Sequence, residues 1–467
     1  MPTSTNYTKR PSLPGRATDL PASPNRGSGP APMPRVADWF AWLGGLGLGA
    51  SAAFALSQDS LHSVTSMAGF LDAVGRLSGM VGTYLLLVML LLMARIPWLE
   101  RTIGQDRLTR WHRRIGAWPV VLITMHVVTL LFGYAATAKT NVVNQAVTFI
   151  QHYPDMLMAF VGFGLLLLAT TFSIPQVRRR LRYETWWTIH LAFYFAVALS
   201  FAHQIRTGII FLGHPMTVAL WTRVFVGVAA VLVISRIVRP MLANLRYRLR
   251  VTSVEEVSPG VFAIVMRGHH LERLNVSGGQ YFQWRFLAPG LLIHSHPYSL
   301  SALPNPPHLR MTVKSLGDQS SALAHLRPGT RVFIEGPYGV FTRHQISTPA
   351  VTLIGAGVGV TPLRALLEDL PHDVAVTVLL RASTPEDLVH ADEVRALVKQ
   401  RQGTFHTLLG PRQRARLDRN TLNKLAPRVR DSDVYICGPE GFNDDVAKAA
   451  TSLGVPNTRI HQEEFSF

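Results

Sequence analysis

The sequence predicts a multi-domain membrane protein: a six-helix transmembrane bundle, then an antiparallel β-barrel, then an α/β domain on a parallel sheet. Three observations carry this. The 467 residues are 48% hydrophobic and only 16% charged, yet the formal net charge is +18; soluble domains carry about 25% charged residues. Apolar stretches of spanning length recur along the first half, with basic residues gathered in alternate connections. Past residue 245 the texture changes to short strand-like runs, and past 350 to alternating strand and helix. A basic excess alone would suit nucleic acid, but so apolar a chain points to the lipid bilayer instead. Cys437 is the sole cysteine, which excludes intrachain disulfides, CxxC zinc sites and an iron–sulfur cluster held by this chain alone.

Residues 1–36 hold eight prolines and five basic residues among Ser, Gly and Thr, and read as a disordered basic tail. A cleaved signal peptide ending near Ala53–Ala55 is the alternative to an uncleaved first helix; the charge pattern favours the helix. Apolar stretches follow at 39–57, 74–94, 118–136, 156–174, 186–201 and 216–233, long enough with their flanks for about 30 Å of hydrocarbon. Basic residues crowd the tail (Lys9, Arg10, Arg16, Arg26, Arg35) and the second connection (Arg95, Arg101, Arg107, Arg110, Arg113, Arg114). They crowd the fourth connection too (Arg178, Arg179, Arg180, Arg182), and the stretch after the sixth helix (Arg236, Arg239, Arg246, Arg248, Arg250). The opposite connections hold Lys139 and Arg206. The positive-inside rule then gives six helices over 37–240 with both termini cytoplasmic.

Four histidines fall in these helices: His112 and His126 in the third, His190 and His203 in the fifth. Fourteen residues rise about 21 Å and end about 40° short of four turns, so the first two share a face. With the helices running the same way, His112 is level with His190 and His126 with His203. Two such pairs suit two haem irons, each held axially; interhelical hydrogen bonds, or a proton or metal path, are the alternatives. The thirteen residues from His190 to His203 fall about 140° short of four turns, so a kink or differently rotated haems is required. His62, His152 and His214 lie near loops and read as solvated rather than metal-binding.

The run Trp111-His112-Arg113-Arg114-Ile115-Gly116 through Met125-His126-Val127, with His190 and His203, resembles the ferric reductase and NADPH oxidase membrane domain. That resemblance implies six helices, two b haems stacked across the bilayer and this pairing of histidines. Arg76 looks like the family's arginine beside the outer haem, where acceptor is reduced, or where a propionate needs a cation. Superoxide-forming eukaryotic members carry a further His one turn past the outer ligand; here Leu130 stands there, which makes oxygen less secure as the acceptor.

Past 245, runs at 248–254 and 261–267 flank Ser258-Pro259-Gly260 as a hairpin, with further strands at 280–286, 309–314 and 331–335 and a short helix near 320–326. His296-Pro297-Tyr298-Ser299-Leu300-Ser301 sets a basic, an aromatic and a hydroxyl residue in one extended run, the kind that flanks a flavin. It resembles the flavin-binding strand of ferredoxin reductase-like domains, with His296 where soluble members have Arg. The resemblance lays Tyr298 along the isoalloxazine, puts Ser299 near N5, and makes Lys314, Gly317 and Ser320 the phosphate-contacting strand and helix start. FAD therefore belongs to residues 245–347.

Strands at 351–355, 374–380 and 433–437 alternate with helices at 362–370, 388–400 and 442–453. Gly355-Ala356-Gly357-Val358-Gly359-Val360-Thr361-Pro362 joins the first strand to the first helix, a setting in which glycines admit a pyrophosphate to a helix N-terminus. It resembles the nicotinamide-binding turn of ferredoxin reductases. Arg381 and Ser383 end the next strand without an acidic tip, which suits a ribose 2′-phosphate and favours NADPH, with NADH the alternative. Cys437-Gly438-Pro439 resembles the family's strand end, where the Cys lies beside the reacting nicotinamide carbon. The end, Ile460 to Phe467, resembles its terminal acidic-x-aromatic strand: Glu463 and Phe465 match by spacing, and Phe467 is a second claimant to stack on the flavin. The implied function is electron transfer from cytoplasmic NADPH through FAD and two haems to an outer acceptor. Oxygen giving superoxide is the first choice; a ferric chelate or a partner protein is the alternative.

Overall fold

The computed structural model describes residues 34–58, 64–292, 295–411, 413 and 415–464. They fall into two compact units that divide between Arg239 and Pro240. Most of the basic tail, His62, Phe465 and Phe467 lie outside the described residues.

The first unit is helical. Six helices among the described residues are long and apolar enough to cross a membrane: Asp38–Leu56, Met67–Leu92, Arg107–Thr137, Met156–Ser173, Glu184–Thr207 and Pro215–Tyr247. The second opens on Ser66, whose hydroxyl accepts from the Gly69 N–H at 3.1 Å. It packs on the third through glycines. A Cβ at Gly75 would lie 2.7 Å from Leu130, and one at Gly82 about 3.0 Å from Ile123. Small residues let two backbones approach where lipid gives no hydrophobic drive.

Two spans are interrupted, and the breaks bear on the histidine spacing. The third divides at Gly116 into Gln105–Ile115 and Ala117–Thr137, so His112 and His126 stand on different segments. The fifth divides at Leu191 and Ser200 into Tyr183–His190, Ala192–Leu199 and Phe201–Thr207, so both breaks separate His190 from His203. The straight-helix angles of the sequence reading do not apply to either pair. Helices Pro97–Ile103 and Val142–His152, in connections, are short and were not legible as spans.

The second unit holds two antiparallel sheets and one parallel sheet. Arg250–Ser258, Val261–Arg267 and His308–Lys314 form one three-stranded sheet; His296–Ser299, Tyr281–Phe286 and Val332–Tyr338 form another. Isolated bridges, Arg250 with Arg331 and Leu300 with Met311, and a few backbone hydrogen bonds such as Val332 N–H to the Leu249 carbonyl link their edges. The expected barrel is therefore two sheets folded over one core, with Phe282, Trp284, Ile264 and Met311 fully buried between them. The short helix starts earlier than expected, at Asp318–Ala322.

The parallel sheet runs in the order Ile460–Glu464, Asp433–Gly438, Ala350–Ala356, Ala375–Ala382, Thr404–Leu409. Its two central strands are almost wholly buried, as expected of a sheet covered on both faces. The edge strand Thr404–Leu409 and the helix Arg419–Leu425 were not anticipated. TFHTLL is half exposed at an edge and shows neither a clean alternation nor a buried run.

Candidate functional site

In the helical unit the rings of His112 and His190 meet edge-on, centroids 6.2 Å apart at 65°. Two imidazoles on one iron, at about 2 Å per metal–nitrogen bond and about 1 Å from nitrogen to ring centre, place centroids about 6 Å apart. His126 and His203 line a single cavity of ≈ 200 Å³, together with Arg76, Gly79, Leu130 and Tyr134. Gly79 leaves room for the His126 ring, since a Cβ there would lie 2.9 Å from its Cγ.

Two tautomers are fixed by neighbours. His126 Nδ1 donates to the Gly75 carbonyl at 2.7 Å; a carbonyl only accepts, so Nε2 keeps its lone pair. Ser173 donates its hydroxyl hydrogen to the Ala169 carbonyl at 2.7 Å, so its oxygen accepts from His190 Nδ1 at 3.0 Å. His190 is therefore the same tautomer, and such a hydrogen bond is how a metal-ligating imidazole is oriented. His112 lies against a backbone acceptor of Met89 and His203 against one of Ser200. Four imidazoles in two sets, two of them with Nε2 left free by an Nδ1 hydrogen bond, fit residues that would hold haem iron. His152 and His214 join no such set: among the described residues no cluster of three or more His, Cys, Asp or Glu is placed to hold a metal ion.

In the second unit, the strand His296–Ser299 pairs with Tyr281–Phe286, and Trp284 Nε1 donates to the Tyr298 carbonyl at 2.8 Å. Pro297 is exposed, and the His296 and Tyr298 rings are 6.1 Å apart. Burial pushes the Tyr298 phenol up to about 12, so it stays a neutral donor. Among the described residues the Ser299 hydroxyl is buried without a partner, which fits a polar ring atom beside it. Lys314 is exposed at its strand end. Ser320 accepts from the N–H groups of Leu316 and Gly317 at 2.9 and 3.0 Å, so its hydroxyl closes the cap of its own five-residue helix.

The glycine turn divides its labour. Gly357 has φ +56°, a left-handed conformation that favours glycine. Gly359 presses on the next strand: a Cβ there would lie 2.6 Å from the Cys437 carbonyl carbon and 2.9 Å from the Gly438 nitrogen. Gly355 packs under Leu363, Thr361 donates to the Val358 carbonyl at 2.8 Å, and Pro362 is buried in the first helical turn. In the sheet register Cys437 is level with Gly355 on one side and Glu463 on the other. Burial, then the Glu463 carboxylate, pushes the Cys437 thiol up, so it stays protonated. Asn443 holds the last strand by donating to the Glu463 carbonyl at 2.9 Å.

Arg381 donates to the Gly410 carbonyl at 2.9 Å and lines a cleft of ≈ 460 Å³ with Pro439, Arg416, Arg419 and Lys448. Ser383 is exposed and is not among the lining residues. The three further cations were missed, although the basic run from 412 to 419, around the Asp418 cap, was the signal for two of them.

Asp433 anchors this end of the unit. It is fully buried and accepts from the N–H groups of Ser347 and Thr348 at 2.8 and 2.9 Å and from His461 Nε2 at 3.3 Å. Burial alone would raise its carboxyl, but hydrogen bonds from His461, Ser347 and Thr348 hold it below the usual range. A depressed carboxyl contributes stability above its unfolded pKa, about 3.9, which is lost as pH falls through the folded value. Asp433→Asn is expected to lower stability by about 3 kcal/mol and to flatten the acid limb of the stability–pH curve, as read by thermal unfolding of the full chain.

Residues 78–201 match the ferric reductase like transmembrane component family, and residues 353–448 the oxidoreductase NAD-binding domain family. A flavohemoprotein of Xylella fastidiosa is 29% identical over 40% of this chain and 50% of its own length. An NADPH oxidoreductase of Mycobacterium tuberculosis is 26% identical over 40% of this chain and 52% of its own. The chain thus spans about half the length of the curated relatives it matches. Among solved structures, the FAD/NAD-binding domain of a Vibrio cholerae nitric oxide dioxygenase is similar over 47% of this chain and 98% of that one, at 27% identity and a TM-score of 0.38.

Proposed function

We propose that this NAD(P)H-dependent oxidoreductase, which joins a ferric reductase-like transmembrane component to a ferredoxin reductase-type FAD/NAD-binding domain, moves electrons across a cell membrane from NADPH to an outer acceptor. Two b haems lie in the helical unit, FAD in residues 245–347 and NADPH in residues 348–467. The observation that carries this reading is the 6.2 Å approach of the His112 and His190 rings, alongside His126 and His203 on one cavity. Flavin takes two electrons together and releases them singly to one-electron haem iron, which is the chemistry these groups supply when bound.

The protein's part is binding and orientation. Gly357 and Gly359 open the turn to a pyrophosphate at the N-terminus of Val360–Asp369. Tyr298 and Ser299 orient the flavin ring, and Cys437 packs against the nicotinamide, with Glu463 on the neighbouring strand. His112 with His190 holds the inner haem and His126 with His203 the outer. Arg76, on the outer pair's cavity, offers a cation to a propionate or to an anionic product. Both termini are cytoplasmic in this reading, with the arginine-rich connections on that side.

Arg381, Arg416, Arg419 and Lys448 supply cations for a 2′-phosphate. Arg381→Gln is expected to raise the KM for NADPH about tenfold, a loss of about 1.4 kcal/mol, and to leave that for NADH unchanged in steady-state assays. For the acceptor, oxygen giving superoxide is the first reading. Ferric-chelate reduction is the second, favoured by Leu130 on the cavity wall. Admitting air to the anaerobic, NADPH-reduced protein separates them: fast reoxidation with stoichiometric superoxide supports oxygen, and slow reoxidation that ferric chelate accelerates supports the chelate.

A further inference from the structure

Hydride transfer between two bound rings needs reacting atoms about 3–3.5 Å apart, and a misplacement of about 1 Å costs about 10²-fold. In the reading above the two rings belong to different parts of one compact unit, the flavin to the antiparallel sheets and the nicotinamide to the parallel one. A partly buried charge network joins these parts, and neither ring is expected to touch it. Arg310, in His308–Lys314, donates Nη1 and Nη2 to the two carboxylate oxygens of Glu393 at 2.9 and 2.8 Å. Its Nε donates to Ser301 Oγ at 3.1 Å, and the Ser301 N–H donates to the Arg310 carbonyl at 3.1 Å. Ser301 stands two residues past Ser299 on the expected flavin strand.

The other side of Glu393 meets the nicotinamide part. Arg364 Nε donates to Glu393 Oε2 at 2.9 Å, and its Nη1 pairs with Glu368. Arg364 is 8% exposed and lies in Val360–Asp369, the helix that opens at the glycine turn. Glu368 in turn accepts the Leu303 N–H at 2.8 Å, back on the flavin side. His390 closes the set, Nδ1 at 3.1 Å from Glu393 Oε1 and Nε2 at 3.0 Å from Thr312 Oγ1. Burial alone would raise the Glu393 carboxyl, but His390 and Arg310 hold it well below its usual range, so it stays ionised.

We infer that Glu393 is a positioning residue: by gripping Arg310 of the antiparallel, flavin-bearing part and Arg364 of the nicotinamide-bearing helix at once, it sets the separation across which hydride passes. The step is the breaking of the C–H bond of NADPH and the formation of an N–H bond on the flavin. Both electrons travel with the hydride, leaving NADP+ and reduced flavin. A carboxylate is required because one group must accept from two guanidinium ions, and the fork to Arg310 fixes angle as well as distance. The inference rests on the NADPH-to-FAD reading.

The test is anaerobic stopped-flow reduction of the FAD-loaded full chain at saturating NADPH, with protium or deuterium at the transferred position. Glu393→Gln is expected to slow flavin reduction about ten- to hundredfold and to enlarge its isotope effect, with little change in NADPH affinity. Arg310→Lys, which keeps the charge but loses the fork, should show a smaller shift of the same kind, and decides the matter if Glu393→Gln does not load FAD. Amide exchange at Leu303 should quicken in both. Asp392→Asn, which breaks an exposed pair with Arg395 on the same helix, should match wild type in every readout. FAD-loaded variants that reduce at the wild-type rate with the wild-type isotope effect, whatever their melting temperature, overturn the inference. A wild-type flavin that NADPH leaves oxidised overturns the underlying reading, and this one with it.

Discussion

In a His190→Ala variant the haem content is expected to fall from two per chain to one, and NADPH-driven reduction of any outer acceptor to disappear, while NADPH still reduces the flavin at the wild-type rate. The physical reason is the pairing. The His190 ring lies 6.2 Å from that of His112, a separation that one iron would span, and the Nδ1 hydrogen bond to Ser173 leaves its Nε2 available to hold such an iron. Ser173→Ala gives a graded version. Ser173 touches no expected ligand but His190, and losing such a supporting partner typically costs about 10–100-fold in metal affinity or activity. Haem content by pyridine haemochrome, beside stopped-flow flavin reduction, reads both effects. Full haem occupancy in His190→Ala would remove this residue from the electron path.

Gly359→Val is expected to abolish reduction by NADPH and NADH alike, while dithionite still reduces flavin and haem. A Cβ at this position falls on the Cys437–Gly438 peptide, which is backbone and cannot swing aside as a side chain would. The turn and the strand end must therefore part, and these are the two segments expected to hold the pyrophosphate and the nicotinamide. Overpacking costs about 1–3 kcal/mol, so the variant should still fold. Anaerobic reduction kinetics with each nucleotide check it, and wild-type rates would show that the turn binds neither.

The sequence made the site's chemistry legible and its geometry only in part. Histidines are costly inside a membrane segment, so four of them stand out against an apolar background. The breaks at Gly116, Leu191 and Ser200 did not stand out, because residues that interrupt a helix under tertiary constraint also occur within intact ones. The glycine turn was readable because a strand, a turn and a helix follow in order. That Gly359 rather than Gly357 is the one pressed against backbone is a fact of the fold. Arg416, Arg419 and Lys448 gather around Arg381 from segments that only the folded chain brings together. The same holds for Glu393, which reads as an ordinary charge near the start of a helix until Arg310 and Arg364 are seen to close on it. The expected barrel became two sheets because strands were counted from alternation, while closure depends on edge pairings that alternation does not encode.

The most direct measurement is an anaerobic NADPH titration of the purified full chain, loaded with FAD and haem and followed by visible absorbance. Two low-spin b haems per FAD are expected, with flavin bleaching followed by full development of the reduced haem bands. Haem that dithionite reduces but NADPH does not, or a single haem per flavin at full loading, would contradict an electron path from the glycine turn to His126 and His203.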